Sequence, residues 1–169
     1  MHQTSLDNMI KALSRINLSP SGKVLDVGGR GLNGKKRSYR AIISELGEYD
    51  YHVADIQDGE GVTHVMPSEY QLPFPDSHFH LVVSGQTLEH VRNPFRLVTE
   101  MKRVLKPGCH LIIIAPSAGR MHDNPDCWRF MRDAFKAIAH ECRLTTVADW
   151  ITDADQWRDH TWVAYREQL

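Results

Sequence analysis

KVLDVGGRGLNG, residues 23–34, joins a short apolar run to a turn holding four glycines. Residues 23–28 read as a buried strand. Gly28, Gly29, Gly31 and Gly34 crowd the turn that follows, where glycine permits positive φ and lets a ligand approach the backbone. A helix beginning after such a turn offers unbonded N–H groups and positive potential, which suit a carboxylate or a phosphate. The next strand, YHVAD at 51–55, ends on Asp55. A carboxylate there can accept hydrogen bonds from both hydroxyls of a ribose.

The same alternation continues in both directions. An amphipathic helix is expected over 5–16, ended by Pro20-Ser21-Gly22. Another spans 38–46, with Ile42, Ile43 and Leu46 at helical spacing. A short strand at 62–66 and a longer one at 80–84 follow. The helix 94–105 is stopped by Lys106-Pro107-Gly108. Residues 110–115 form a continuous apolar strand, which implies cover on both faces. A helix at 132–141 and strands at 144–150 and 161–166 complete the chain. Strands alternating with helices build an α/β domain, a doubly wound Rossmann-like sheet occupying the whole of 1–169. Ligands of such sheets bind outside the carboxyl ends of the strands. That edge collects the turn after Gly28, Asp55 and the segments 85–90 and 116–130.

Composition narrows the class without naming a function. Of 169 residues, 41% are hydrophobic and 24% charged, and the net charge is −1. So small a net charge supplies no general attraction to nucleic acid or to an anionic membrane. MHQTSLDNMIKAL at the start lacks the apolar core of a signal peptide, and no apolar run approaches the ~18 residues of a membrane span. Cys109, Cys127 and Cys142 are odd in number and show no CxxC spacing, so reduced thiols and a cytoplasmic location are expected. The basic run 35–40 reads as a solvated helix face, with an anionic substrate group as the alternative. Nucleic-acid binding would need a wider basic surface and aromatic platforms.

Residues 29–34 also satisfy G-x-G-x-x-G, and with Asp55 they admit a nicotinamide-dependent oxidoreductase. A longer pattern decides against it. LPFPDSHFHLVVSGQTLEH at 72–90, EMKRVLKPG at 100–108 and the strand 111–115 closely resemble the middle of class I S-adenosylmethionine-dependent methyltransferases. With Asp26, Gly28 and Asp55 the resemblance covers about 23–116. HDNPDCWRF at 122–130 is similar to a subgroup found in glycan or small-molecule pathways. The resemblance implies a seven-stranded sheet whose last strand is antiparallel. It implies S-adenosylmethionine as cofactor, its methionine portion held by Asp26 and the backbone of Gly28, Gly29, Arg30 and Gly31. Asp55 would hold the ribose, Ile56 would flank the adenine, and Ser68 or Glu69 would meet the adenine edge. Gln86 and His90 would lie near the reactive methyl.

Two positions depart from the pattern. Arg30 stands where a glycine is usual, so the turn shifts or Arg30 touches the ligand carboxylate. His80 replaces an aspartate that caps a strand start, a structural change.

Methyl transfer from a sulfonium requires nucleophile and methyl to be held about 3 Å apart and aligned. A base that takes a hydroxyl proton adds roughly 10²–10⁴ in rate. His122 is the first candidate, because it lies on the loop after the fifth strand and histidine as a residue type suits proton transfer at neutral pH; Asp126, His90 and Asp123 come next. Trp128 and Phe130 form either an apolar wall over the substrate or ordinary packing. Arg129 either binds an anionic group or pairs with a neighbouring acid. His122, Asp126 and Cys127 match no closed zinc-site spacing, and no metal is expected. The expected reaction is methylation of a small-molecule acceptor, at oxygen of a sugar or natural-product intermediate. One alternative is a catalytically silent member of the fold that binds the cofactor or a partner protein; the other, less favoured, is the nicotinamide-dependent oxidoreductase. The chain is short for its class, so the cleft roof comes from 117–132, from the second subunit of a homodimer, or from the acceptor.

Overall fold

A computed structural model of the protein describes residues 3–31, 38–122, 125–153 and 158–168. Gly34, Lys35, Lys36, Arg37 and Asp123 from the sequence reading lie outside the described residues. Seven strands form one sheet: β1 (Ser21–Val27), β2 (Glu48–Asp55), β3 (His64–Val65), β4 (Phe79–Gly85), β5 (Leu105–Pro116), β6 (Thr145–Ile151) and β7 (Asp159–Tyr165). Their spatial order is β3-β2-β1-β4-β5-β7-β6. Only β7 runs against its neighbours, pairing antiparallel with β5 and β6. This is the doubly wound, mostly parallel sheet that the sequence pattern implies.

Alternation along the buried strands sends side chains into two cores, one per face. Leu25, Val27, Leu111, Ile113 and Ala115 join one cluster, with Leu97, Val98 and Met101 of helix α3 (Pro94–Val104) and Phe135 and Ile138 of α4 (Ala134–Cys142). Val24, Ile112 and Ile114 join the other, covered by Leu6, Met9 and Leu13 of α1 (Gln3–Leu13) and by Tyr39 and Ile43 of α2 (Tyr39–Ser44). The continuous apolar run of β5 is therefore covered on both sides. Ser38 caps α2 by accepting from Ala41 N. Asn93 caps α3 by accepting from Arg96 N, with Pro94 in the first turn.

The boundary between α3 and β5 differs from the sequence expectation. Lys106-Pro107-Gly108 does not separate the two; the strand starts at Leu105, directly after the helix. Leu105 is buried and pairs with Phe79, and the register then shifts before Leu81 meets His110. Arg166 holds this corner by donating to the carbonyls of Lys102, Arg103 and Leu105, while Gly108 N donates to Arg166 O. That grip comes from the far end of the chain, so local reading cannot see it.

Several residues set aside in the sequence prove structural. His80 Nδ1 accepts the backbone N–H of Lys23 at 2.9 Å, tying β4 to β1 where an aspartate is usual. His52, His64 and His78 pack with Phe74 and Phe79 at ring separations of 4.5 to 6.2 Å. Phe130 is buried and stacks on Phe135, which is ordinary packing and not a substrate wall. Arg40, the described end of the basic run, lies over the Tyr51 ring.

Candidate active site

Beyond the carboxyl ends of β1, β2 and β4 lies a cleft of about 420 Å³, within the ~300–1,000 Å³ typical of small-ligand sites. The sheet order reverses between β1 and β4, and that switch point is where an open α/β sheet leaves room for a ligand. Gly28, Arg30, Asp55, Ile56, Glu69, Gln86 and His90 all line it, joined by Met66, Thr87, Val91, Leu97 and Pro125.

Gly28 is required by two constraints at once. Its φ is +81°, and a Cβ there would sit 2.2 Å from Thr87 Oγ1. The turn therefore packs directly on the segment after β4, with Thr87 donating back to Val27 O. Gly31 N donates to Glu60 O, which ties the turn to the loop following β2. Arg30 resolves its own departure by turning to Asp55. Its backbone N donates to Asp55 Oδ2 at 3.3 Å, and its Nε lies 3.9 Å from Oδ1. Asp55 also accepts from Gln57 N at 3.0 Å, so backbone donors on both sides fix the carboxylate at the cleft wall.

Asp26 stands elsewhere. It does not line the cleft; its carboxyl is 2% exposed beneath the turn, where Tyr51 Oη donates to Oδ2 at 3.0 Å. Burial pushes its pKa up to about 7, aided by the Asp55 charge and opposed by the Tyr51 hydrogen bond. An acid whose folded pKa is raised stabilises the fold at low pH and loses that contribution as pH rises. The window runs from the unfolded value of about 3.9 up to about 7. Asp26→Asn should accordingly gain on the wild type between pH 5 and 8, by at least about 1.4 kcal/mol, the worth of a tenfold change in the protonation equilibrium. Denaturant titrations at the two pH values check this, and parallel curves would show Asp26 ionised in the folded state.

Glu69 lines the cleft while its carboxylate pairs with Arg92. Gln86 adopts φ +55°, its N–H donating to Ile114 O and its Nε2 to Asp159 Oδ1 at 2.9 Å. This left-handed residue turns the chain from β4 into the short 3-10 turn Leu88–His90. His90 Nδ1 hydrogen-bonds Pro125 O at 2.7 Å, and its ring meets the His122 ring edge to face at 5.1 Å. His122 itself is not among the cleft-lining residues. Its Nδ1 lies 3.4 Å from Asp126 Oδ2, and its backbone N donates to the same oxygen at 2.8 Å. Arg129 grips Asp126 with two parallel bonds, 2.5 and 2.8 Å. That guanidinium holds the Asp126 carboxyl well below the usual range, so Asp126 is a poor proton acceptor. Of the two sequence readings of Arg129, pairing with a neighbouring acid is what the geometry contains.

Comparison with known proteins points the same way as the sequence resemblance. Residues 37–113 match the family described as a methyltransferase domain. The ubiquinone/menaquinone biosynthesis C-methyltransferase UbiE of Shewanella pealeana is 31% identical over 110 residues, 56% of this chain and 43% of that protein. Over that segment the chain is similar to methyltransferase domains, in keeping with the class I S-adenosylmethionine-dependent methyltransferases that its sequence resembles. It spans less than half the length of that relative. An S-adenosylmethionine-dependent methyltransferase from Aquifex aeolicus shares the methyltransferase fold at TM-score 0.68, with 18% identity over 96% of this chain and 93% of that one. A second structure is the 1,6-didemethyltoxoflavin-N1-methyltransferase of Burkholderia thailandensis with bound 1,6-didemethyltoxoflavin and S-adenosylhomocysteine. It superposes at TM-score 0.71 with 14% identity, over 98% of this chain and 78% of that one.

Within this methyltransferase domain, sequence reading passed over Thr87 and Glu89. Both sit inside the quoted stretch 72–90, beside Gln86 and His90. Glu89 is wholly buried, and Cys127 N and Trp128 N donate to its backbone carbonyl, which draws residues 125–130 over it. Burial raises its carboxyl pKa to about 8. Nothing in the local sequence, a glutamate between Leu88 and His90, signals that enclosure.

Proposed function

We propose that the domain binds S-adenosylmethionine in this cleft and transfers its methyl group to a small-molecule acceptor. What supports the reading is one observation: the Gly28 turn, Asp55 and the segment from Gln86 to His90 meet around a single cleft of ligand size. The 28–31 turn brings backbone and the Arg30 side chain to the end of the cleft that suits the methionine portion, while its Gly28, Arg30 and Gly31 N–H groups donate within the protein. Asp55, fixed by backbone donors, suits the ribose diol. Ile56 and Met66 offer apolar surface for the adenine, with Glu69 at its edge. Gln86 and His90 stand on the methyl side.

The reaction is an in-line displacement in which the neutral thioether leaves. The protein's main task is alignment, with acceptor atom and methyl about 3 Å apart. His90, His122 and Asp126 form the acceptor side. Asp126 acts as a positioning residue, its charge kept by Arg129 and turned toward His122 Nδ1. Oxygen of a sugar or natural-product intermediate is the acceptor we propose, although the UbiE relatives are described as C-methyltransferases. The roof over the acceptor comes from 117–132 or from a second copy in a homodimer. No helix among the described residues is long and apolar enough to cross a membrane.

Titration calorimetry with S-adenosylhomocysteine tests the reading. Saturable binding in the micromolar range is expected, and no heat up to millimolar ligand would remove the cofactor assignment. Asp55→Ala should weaken that binding by about 1–3 kcal/mol, since ribose hydroxyls desolvated in the cleft lose a charged acceptor. An unchanged dissociation constant in a folded variant would move the ribose elsewhere.

A further inference from the structure

We propose that Glu89, His90 and His122 form a binding site for one divalent transition-metal ion on the acceptor side of the cleft. The inference rests on the methyl-transfer reading of that cleft and deepens it. Three observations carry it.

The first is convergence. Each of the three residues offers a donor atom, and all three donors lie within 4.8 Å of one another. Bonds of about 2.0–2.2 Å set the donors of one tetrahedral shell roughly 3.3–3.6 Å apart, so the widest pair closes by about an ångström when an ion binds.

The second is the state of Glu89. Its side chain is wholly buried, and neither carboxylate oxygen meets a hydrogen-bond donor of another residue among the described residues. His90 Nε2, 3.7 Å from Oε1, is the cationic-capable group it faces. Asp126 and Asp159 add negative potential around it, which the Arg129 charge opposes. A carboxylate placed this way lacks a partner that a cation would supply.

The third is the support behind each histidine. His90 Nδ1 is engaged by the Pro125 carbonyl at 2.7 Å, and His122 Nδ1 faces Asp126 at 3.4 Å. The carbonyl behind His90 Nδ1 fixes that ring's tautomer and turns its Nε2 toward Glu89, the usual arrangement of metal-bound imidazole, and the Asp126 carboxylate stands behind the His122 ring. Arg129 in turn holds Asp126 in place.

Two imidazoles and one carboxylate select zinc, cobalt, manganese or iron(II) over magnesium and calcium, which prefer all-oxygen shells. Three ligands leave positions open toward the cleft, where His90 and Pro125 already form the wall. An acceptor with two adjacent oxygens fits those positions. A hydroxyl bound there loses its proton to solvent more readily. Its oxygen then bonds the methyl carbon as the carbon–sulfur bond breaks, the electron pair staying on sulfur. In this arrangement His122 serves as a ligand and not as a free base. The sequence spacing of His122, Asp126 and Cys127 pointed to no metal, and the converging set is a different one, with Cys127 exposed and apart from it.

The test uses protein freed of metal by chelator and titrated with manganese(II) or cobalt(II) chloride, followed by calorimetry and by the visible absorption of cobalt. One ion per chain is expected, with magnesium chloride binding at least tenfold more weakly. His90→Ala and His122→Ala should each weaken the ion at least tenfold, and Asp126→Asn about 10–100-fold through the ring it positions. Circular dichroism and S-adenosylhomocysteine binding establish that each variant is folded. Absence of saturable binding up to millimolar manganese or cobalt overturns the site, as does affinity unchanged in all three folded variants. Magnesium binding as tightly as manganese overturns the donor-set argument. If S-adenosylhomocysteine binds and no ion does, the metal site fails while the cofactor reading stands; an ion without S-adenosylhomocysteine reverses that.

Discussion

His122→Ala is expected to lower turnover by about 10²–10⁴ while leaving S-adenosylhomocysteine affinity nearly unchanged. The separation follows from position. The cleft wall proposed to face the cofactor is made by the Gly28 turn, Asp55 and Gln86, whereas His122 stands behind His90 on the loop after β5. Asp126, gripped by Arg129, already holds the His122 backbone N–H, so removing the imidazole leaves the loop frame in place. Steady-state rates with a competent acceptor, set against calorimetry with S-adenosylhomocysteine, read the two effects apart. The pH–rate profile then tells how the ring acts. A free base gives a limb near neutrality that vanishes in the variant, with chelator inert toward the wild type. A metal ligand makes chelated wild type as slow as the variant, and added manganese restores only the former. A turnover loss under tenfold, together with unchanged pH dependence, would take His122 out of the acceptor side altogether.

Trp162→Ala should destabilise the fold by about 3–5 kcal/mol, the cost of removing a large aromatic from a packed core. Trp162 is fully buried in the middle of β7, stacked on Phe135 at 5.2 Å, with its Nε1 donating to Thr146 Oγ1. β7 is the antiparallel strand between β5 and β6, so the cavity opens between the sheet and α4. For a domain of this size the melting temperature should fall by about 6–20 °C. The exposed Val147→Ala serves as a control and should shift by under about 0.5 kcal/mol. A functional consequence follows at the strand start. Asp159 opens β7 and accepts from Gln86, so loosening this strand should also weaken cofactor binding. Equal melting temperatures for wild type and Trp162→Ala would mean that the surrounding side chains collapse fully into the space.

Much of the fold was legible because parallel strands buried on both faces must be continuously apolar. Residues 110–115 carry that signature, and Ile112 and Ile114 duly enter one core while Leu111 and Ile113 enter the other. The glycine turn was legible for a local reason as well: positive φ at Gly28 is a property of one residue and its neighbours. Asp55 could be placed at the cleft because a residue ending a strand of an open sheet lies at its carboxyl edge. Asp26, one strand over, shows the limit. Its position in the motif is plain, but whether its carboxyl faces the ligand or the protein depends on Tyr51, and the structure turns it inward.

The chain's own order of apolar runs, glycines and strand-end carboxylates therefore determined the sheet, its two cores and the edge where a ligand sits, since periodicity and turn chemistry act over a few residues. Tertiary structure alone decided which polar groups meet. Glu89 and His122 are distant in sequence, and they approach because Cys127 and Trp128 bond to the Glu89 carbonyl and draw the loop across the end of β4. Arg166 reaches back to the start of β5, and Arg30 turns to Asp55, by the same kind of closure. Contacts of that range are set by how the loops pack on the finished sheet, and no local pattern encodes them.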